Sequence, residues 1–405
     1  MIQIDDVLEL FFKEIPTRCY TNQMAAFEAY ELCLRNADFF KRENSNKMLS
    51  KYVPNFFKFI AWWPCNFVEE ACDLLEIVVN PSTAAEVLHL ILDLPCLSVA
   101  LQLANTKKLD DPEKLEEALQ TSIRPYYKAM FAFVLREKSR GAETIDKMPE
   151  LHKALDGFRE NPLVRYVRDI IPALLTCYIS VLADLDDESV YKKIFPILIE
   201  RTFQLYPAQG DHTLILQIFG GEIKCIAEHY PEVISINSNE IMNFLTLFQG
   251  NNALQDSPLI VNAMLHAIGD SVAEIDSNTL QQFYNTLEAL TYEAVQNFER
   301  ETPSILANSE IIQSLSATIS KIAAHAQELI QRAVVCLNKV SSVVSSKQRN
   351  SPHIQTYAQE LMNTLNKPQV APAVLCRRSK IVPWHLSGDS SLMLKIHVLS
   401  RQVES

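Results

Sequence analysis

Glycine is scarce in this sequence: only 8 of its 405 residues are glycine, whereas soluble proteins average near 7%. Nucleotide-binding loops need glycine because only a residue without Cβ lets backbone N–H groups approach a phosphate closely. The glycines are scattered, and neither G-x-G-x-x-G nor G-x-x-x-x-G-K-[ST] occurs. The shortage argues against a nucleotide-driven enzyme. Because β-hairpins rely on glycine turns, it also favours a helical fold.

A basic stripe is also missing. The chain carries a formal net charge of −12 and a pI of about 5.3, and its longest basic cluster is Arg377, Arg378 and Lys380. Proteins that bind duplex nucleic acid usually concentrate lysine and arginine on one face. We therefore expect no nucleic acid among the partners of this chain.

The residues that hold metals or attack substrates form no recognisable motif. None of the 9 cysteines belongs to a C-x-x-C pair, and no H-E-x-x-H, H-x-x-x-H or G-x-S-x-G pattern occurs. Metal sites and serine nucleophiles depend on such spacings. We expect reduced thiols that pack as small apolar side chains in a cytosolic protein, with no metal, no cofactor and no catalytic residue.

Long uncharged apolar runs are few. Asp5, Asp6 and Glu9 interrupt the N-terminal segment, so no secretory signal peptide is predicted there. The most apolar uncharged run, residues 170–183, has 14 residues and includes Pro172. Because a membrane span needs about 20 residues, we expect this run to be a buried core helix. Any membrane association would then be peripheral.

What the sequence does contain is helical periodicity. Asn161-Pro162 and Ser257-Pro258 predict helix starts, because each places a capping side chain before a first-turn proline. Thr83 and Glu86 fit a capping box. No run of alternating apolar and polar residues predicts a strand. After Ser277, apolar residues form one stripe at helical spacing: Leu280, Phe283, Tyr284, Leu287, Leu290 and Ala294.

These patterns predict an all-α fold, an α-solenoid of degenerate HEAT- or armadillo-like helix pairs. Helices follow one another without a sequence repeat of fixed period, and neither the tetratricopeptide (TPR) nor the ankyrin signature is present. We expect the solenoid to cover residues 1–365. A proline-containing irregular linker over 366–389 and a short C-terminal helix over 390–405 follow it. One or two compact helical domains are the main alternative.

The densest aromatic cluster covers residues 52–63, where six aromatic residues fall within twelve positions. At helical spacing, Phe56, Phe59 and Trp63 share one face, and Trp62 lies to the side. Two interpretations are open. The segment is either a core helix wedged between neighbours or a partner-binding patch, since aromatic residues often anchor interfaces. Phe56, Phe59, Trp62 and Trp63 are therefore the candidate contact residues.

The same cluster begins a series of stretches that resembles the zeta subunit of the fifth adaptor protein complex. The stretches follow the family's order: VPNFFKFIAW at 53–62, VLHLILDLPCL at 87–97, QLYP at 204–207, AIGD at 267–270, FYNTLEAL at 283–290, AHAQELIQRA at 324–333 and SRQVE at 400–404. No single stretch is a chemical motif, and the ordered series gives the resemblance its specificity. It covers nearly the whole chain but only the C-terminal half of the family's subunit.

The resemblance implies a non-enzymatic large subunit of an adaptor complex, built as an α-solenoid. Its expected partners are the large beta, medium mu and small sigma subunits of the complex, together with spatacsin and spastizin. Its expected role is retrieval of cargo from late endosomes and lysosomes toward the Golgi. The protein would be cytoplasmic and held peripherally on those membranes through its partners.

Two other functions stay open. One is a nucleotide-dependent, helicase-like DNA repair factor, which the missing phosphate loop disfavours; the other is a helical-repeat scaffold outside trafficking. A solenoid that is cut within its array exposes the apolar side of its terminal repeat. We therefore expect the helices over residues 4–12 and 24–34 to expose apolar surface.

Overall fold

The structure is a computed structural model that describes residues 4–42, 49–108, 161–205, 213–250, 258–300, 308–346 and 352–376, with a few single residues between 114 and 160 and at 306. Every regular element in these ranges is helical and none is a strand, as the sequence predicts. The chain divides into two compact units. The first holds the described residues up to Val190 with Gln204 and Leu205. The second holds Tyr191–Phe203 and the described residues from 213 onward.

The first unit is built around one central helix, α5. The α-helices described in this unit are α1 (Ile4–Glu9), α2 (Ile15–Arg18), α3 (Gln23–Arg35), α4 (Ala37–Phe40), α5 (Val53–Trp62), α6 (Val68–Val78), α7 (Ala84–Leu92), α8 (Leu94–Thr106) and α9 (Pro162–Leu185). Helix α5 packs against α2, α7 and α8, while α6 packs against α3 and α9. A π-helical turn, Leu10–Glu14, joins α1 to α2, and the 3-10 turn Ser50–Tyr52 leads into α5.

Asparagine side chains begin two of these helices. Asn22 caps α3 by accepting hydrogen bonds from the backbone N–H groups of Met24 at 3.1 Å and Ala25 at 3.3 Å. Asn161 caps α9 by accepting from the N–H of Leu163 at 2.9 Å, and Pro162 follows in the first turn. Each cap satisfies backbone donors that have no partner within the helix. The helix start predicted at Asn161-Pro162 is therefore confirmed.

The capping box predicted at Thr83 and Glu86 is wrong. Helix α7 does begin after Thr83, but the Thr83 side chain makes no capping bond. Its hydroxyl group donates to the carbonyl of Val78 at 2.6 Å and accepts from the N–H of Asn80 at 3.0 Å. Glu86 is buried. The hydroxyl group thus closes the turn that precedes α7 and does not cap the helix.

Helix α9 contains the apolar run 170–183 and is long and apolar enough, by length and composition, to cross a membrane. The bent pair α7–α8 passes the same test if it is taken as one span. In this structure α9 packs against α6, α7 and α8. Ile171 and Leu175 are buried, and the hydroxyl of Tyr178 donates to the carbonyl of Ala84 at 2.8 Å. Helix α9 is thus a packed core helix of the first unit, as predicted.

The second unit consists of stacked helices in two layers. They are α10 (Glu188–Thr202, which belongs to this unit from Tyr191 onward), α11 (Thr213–His229), α12 (Glu232–Ile236), α13 (Ser238–Gly250), α14 (Pro258–Asp270), α15 (Ser277–Arg300), α16 (Ser309–His325), α17 (Ile330–Ser346), α18 (Pro352–Leu365) and α19 (Ala371–Leu375). One layer contains α11, α14 and α16, in which each helix packs against the next. In the other layer α15 packs against α13 and α17.

Helices α14 and α16, neighbours in the first layer, run in the same direction. The hydroxyl of Thr318 on α16 donates to the carbonyl of Leu265 on α14 at 2.9 Å. One turn further along both helices, the side chain of Lys321 lies over Gly269. Because the paired residue numbers rise together, α14 and α16 are parallel. Parallel helices that recur from one pair to the next are typical of helical-repeat proteins.

Helix α15 confirms the stripe predicted after Ser277. The carboxylate of Asp276 accepts hydrogen bonds from the N–H groups of Asn278 and Thr279, both at 3.0 Å, and so begins the helix. All six residues of the stripe are buried: Leu280, Phe283, Tyr284, Leu287, Leu290 and Ala294. The spacing of apolar residues along the sequence was sufficient to predict this stripe, because one face of a single long helix packs against the core.

The predicted segment boundaries fall partly within the described residues. Helix α18 ends at Leu365, where the predicted solenoid ends. The segment 366–389, expected as an irregular linker, contains the short helix α19, which packs against α16 and α18. The helix expected over 390–405 lies outside the described residues, as does Ser257 before α14. A single solenoid over 1–365 stays a prediction.

Candidate partner-binding site

The predicted aromatic patch lies on α5, and the first unit encloses this helix. Every residue from Val53 to Ala61 is buried, including the polar residues Asn55 and Lys58. The side-chain amide of Asn55 donates to the carbonyl of Phe12 at 2.7 Å. A helix that is apolar nearly all round is expected to be buried. Most of the predicted patch is therefore interior.

Phe56 and Phe59 belong to the core. The ring of Phe56 lies 4.6 Å from that of Phe12 and 6.3 Å from that of Tyr30, and the ring of Phe59 lies 6.1 Å from that of Tyr30, between centroids. The hydroxyl of Tyr30 donates to the carbonyl of Phe56 at 3.2 Å. Burial raises the pKa of Tyr30 well above its usual range, so the phenol stays a neutral donor. Neither phenylalanine is placed to meet a partner.

Trp62 and Trp63, at the C-terminal end of α5, are half-buried. The ring of Tyr20 meets that of Trp62 edge to face at 5.2 Å. The indole N–H of Trp63 donates to the carbonyl of Tyr20 at 3.0 Å, and the hydroxyl of Tyr20 donates to the carbonyl of Leu101 at 3.1 Å. These contacts fix both indoles and leave part of each in solvent. Of the four predicted residues, these two are the ones that a partner could reach.

The N-terminal helices expose apolar side chains, as expected for residues 4–12 and 24–34. Leu10 is 51% exposed, Met24 is 65% exposed and Phe27 is 36% exposed. Met24 and Phe27 are three residues apart and lie on one side of α3, whose other side packs against α6. Met24 and Phe27 together are called the N-terminal apolar surface below.

Buried charged residues are the feature that the sequence did not reveal. Each of five such residues is at most 3% exposed: Lys58, Glu86, Asp93, Arg201 and Glu222. Charged side chains are rarely buried so completely. Burial raises the pKa of Glu222 to about 8, so this carboxyl group is mostly protonated at neutral pH. No spacing signals such residues, because helices that are distant in sequence cover them.

The cysteines are free thiols, and the most buried ones are Cys33, Cys96 and Cys336. Burial raises the pKa of Cys336 to about 12. The thiols of Cys72 and Cys177 form a hydrogen bond, which raises the pKa of Cys72 and lowers that of Cys177. Among the described residues, no group of three or more His, Cys, Asp or Glu residues is arranged to hold a metal ion.

The described residues of both units form packed helices, and α14 and α16 of the second unit are parallel neighbours; these features define the class of this chain as a helical-repeat protein. A family model described as "AP-5 complex subunit zeta-1, C-terminal TPR repeats" matches residues 70–402. A second, described as "AP-5 complex subunit, vesicle trafficking", matches residues 1–58. The chain therefore belongs to the AP-5 zeta subunit family, as the resemblance predicts. The family description assigns TPR repeats, although the chain shows no TPR signature.

Two curated relatives agree with this assignment. The human AP-5 complex subunit zeta-1 is 28% identical over 426 aligned residues, covering 100% of this chain and 52% of the human protein. The mouse AP-5 complex subunit zeta-1 is 25% identical over 417 residues, covering 96% of this chain and 50% of the mouse protein. The chain thus spans about half the length of the curated relatives that it matches. No solved structure matches the chain.

Proposed function

We propose that this chain is a non-enzymatic scaffold within an AP-5-type adaptor complex. It acts in vesicle-mediated endosomal transport, in the retrieval of cargo from late endosomes and lysosomes toward the Golgi. The observation that carries the proposal is the family match in two consecutive segments, residues 1–58 and 70–402. The proposed partners are the large beta, medium mu and small sigma subunits, with spatacsin and spastizin. The protein works in the cytoplasm and reaches membranes peripherally through these partners.

A helical-repeat scaffold binds through side chains that its layers hold in fixed positions. A few apolar anchors supply most of the affinity in such interfaces, because removing their surface from water is favourable. The N-terminal apolar surface offers two such side chains, and the half-buried indoles of Trp62 and Trp63 offer two more. Acidic residues such as Glu28 are exposed beside these apolar side chains. Charged groups that stay in contact with water would therefore surround the apolar contact.

Co-purification tests the proposal. The tagged full chain is co-expressed with the three other adaptor subunits or with the spatacsin–spastizin pair, and the captured partners are quantified. We expect capture of at least one adaptor subunit by the wild-type chain. The double substitution Met24→Ser/Phe27→Ser should weaken that capture about thirtyfold or more, since each truncated interface anchor costs over about 1 kcal/mol.

The matched control is the double substitution Leu247→Ser/Val335→Ser, which removes two exposed apolar side chains from the second unit. Substitutions at exposed positions usually change the free energy of unfolding by less than about 0.5 kcal/mol, so both double variants should fold. Equal capture by the two variants would exclude the N-terminal apolar surface as a contact. Failure of the wild-type chain to capture any proposed partner would count against the adaptor function.

The two alternatives have distinct signatures. A nucleotide-dependent DNA repair factor would hydrolyse ATP in a DNA-stimulated manner as a purified chain. A helical-repeat scaffold outside trafficking would not localise to late endosomes in cells that contain all proposed partners. No feature of the described residues favours either alternative over the adaptor scaffold.

A further inference from the structure

Charge is distributed unevenly along the chain. Residues 1–328 contain 27 Lys and Arg against 46 Asp and Glu, whereas residues 329–405 contain 10 Lys and Arg against only 3 Asp and Glu. The second segment therefore carries a formal net charge of +7 within a chain of net charge −12. Within it, residues 361–388 contain four basic residues and no acidic one. Such a charge asymmetry indicates an interaction with an anionic partner.

Helix α19 lies within this basic segment, and its position in the second unit is fixed. The helix packs against α16 and α18, and Ala371 is buried. Just after the helix, the thiol of Cys376 donates to the carbonyl of Lys321 on α16 at 3.5 Å. Just before it, the carbonyl of Lys367 accepts from the N–H groups of Val370 at 2.9 Å and Ala371 at 3.0 Å. These contacts determine which side of α19 faces away from the core.

The side of α19 that faces away from the core is apolar. Val370, which directly precedes the helix, is 50% exposed, and Val374 is 55% exposed. The two residues are four positions apart, so they lie on one side of the helix. Two exposed valine side chains held together in this way offer apolar surface whose removal from water is favourable.

Basic residues flank the two valines. Lys367 is exposed in the turn that leads into α19, and the sequence continues after the helix with the basic run Arg-Arg-Ser-Lys at 377–380. The preceding acidic residue along the chain is Glu360, two helical turns earlier on α18. The carboxylate of Asp270, which acts on the thiol at the end of α19, forms an ion pair with Lys321. No described carboxylate is therefore seen to pair with Lys367.

We propose that the outer side of α19 contacts an anionic lipid membrane directly, with Val370 and Val374 entering the interface and Lys367 meeting acidic headgroups. Apolar side chains flanked by basic ones are typical of protein surfaces that lie on a membrane. A lipid surface fits better than an acidic protein segment, because the basic residues of 329–405 follow no fixed spacing that one segment could match. The contact goes beyond the proposed function, since it needs none of the proposed partners.

Vesicle sedimentation with the purified full chain tests the proposal in the absence of partners. Vesicles of phosphatidylcholine are compared with vesicles that also contain phosphatidylserine, and the bound fraction is measured at increasing salt concentration. We expect binding to the phosphatidylserine vesicles alone. Salt should weaken this binding, because it screens the attraction between exposed charges and the headgroups. Circular dichroism shows whether each variant is folded.

The substitution Lys367→Glu tests the electrostatic part of the contact. It should weaken vesicle binding about twentyfold, because each Lys or Arg near an anionic surface contributes about fivefold and the substitution reverses one charge. The matched control is Lys51→Glu, which makes the same change of charge at an exposed lysine of the first unit. This control should have little effect on binding, since it leaves α19 unchanged.

The double substitution Val370→Ser/Val374→Ser tests the apolar part. It should weaken vesicle binding about tenfold, because the variant loses the favourable burial of two half-exposed valines. The matched control is Ile236→Ser/Leu247→Ser, which removes two exposed apolar side chains from the acidic part of the second unit. Both double variants keep the charge of the wild-type chain.

Three results would overturn the proposal. The first is no binding of the folded wild-type chain to phosphatidylserine vesicles, and the second is equal weakening by a variant and its matched control. The third is vesicle binding that requires an added adaptor partner, which would assign this side of α19 to a protein interface. Vesicle binding by a chain that captures no adaptor subunit would refute the proposed function and leave the membrane contact in place.

Discussion

The buried carboxyl group of Glu222 leads to a quantitative prediction for the second unit. Glu222 is 2% exposed on α11, and burial raises its pKa from 4.5 to about 8. The folded state therefore holds the proton more tightly than the unfolded chain. The stabilisation is complete below pH 4.5 and is lost as the pH rises through 8. At 1.36 kcal/mol for each pKa unit, the loss is about 3 kcal/mol at pH 7 and about 5 kcal/mol at pH 9.

The substitution Glu222→Gln removes the ionisation and keeps the shape of the side chain. We expect the variant to match the wild type near pH 5 and to be more stable by about 3 kcal/mol at pH 7. Urea unfolding followed by circular dichroism from pH 5 to 9 measures the difference. Hydrogen exchange of the α11 peptide shows whether the effect is local to this helix.

The control is Glu360→Gln, which neutralises an exposed glutamate on α18. This variant should keep the pH dependence of the wild type. If Glu222→Gln and the wild type lost stability in parallel between pH 5 and 9, burial of the Glu222 carboxyl group would not control the pH dependence, and the reasoning would be refuted.

Two further predictions concern the first unit. Phe56→Ala should lower the free energy of unfolding by about 3–5 kcal/mol, as for other buried phenylalanines, and Trp62→Ala should lower it by less because Trp62 is half-buried. Urea unfolding compares the two variants. An equal or larger loss for Trp62→Ala would contradict the assignment of Phe56 to the core. Asn161→Ala should cost about 1 kcal/mol through the lost cap of α9; thermal unfolding compares it with Gln102→Ala, which removes only the side-chain contact of Asn161 with Gln102, and an equal loss in the two variants would contradict the capping role.

One predicted capping side chain caps its helix and another does not. Asn161 caps the helix that the sequence assigns to it. Thr83 did not, because its hydroxyl group finds the carbonyl of Val78 in the preceding turn. A threonine hydroxyl can bond to several nearby backbone groups, and the conformation of the turn selects among them.

For the aromatic patch, the sequence predicted which residues cluster, and tertiary packing decided which of them are exposed. Spacing along the chain placed Phe56, Phe59, Trp62 and Trp63 in one cluster but could not say what covers it. In the structure the two phenylalanines meet Tyr30 and are buried, whereas the two indoles lie at the end of α5 and stay half-exposed. The difference depends on the position of α3, which no local pattern specifies.

By itself, the sequence determined that this protein is helical, that α15 presents one apolar face, and that the chain belongs with adaptor subunits of the AP-5 zeta family. These properties depend on backbone propensity, on 3.6-residue periodicity and on the order of matching stretches, all of which are read along one chain. Only the tertiary structure decided that Glu222 is buried and that Lys321 of α16 forms an ion pair with Asp270 of α14. Contacts between helices that are far apart in sequence determine burial and the distances between charges. The spacing of residues along the sequence therefore cannot predict them.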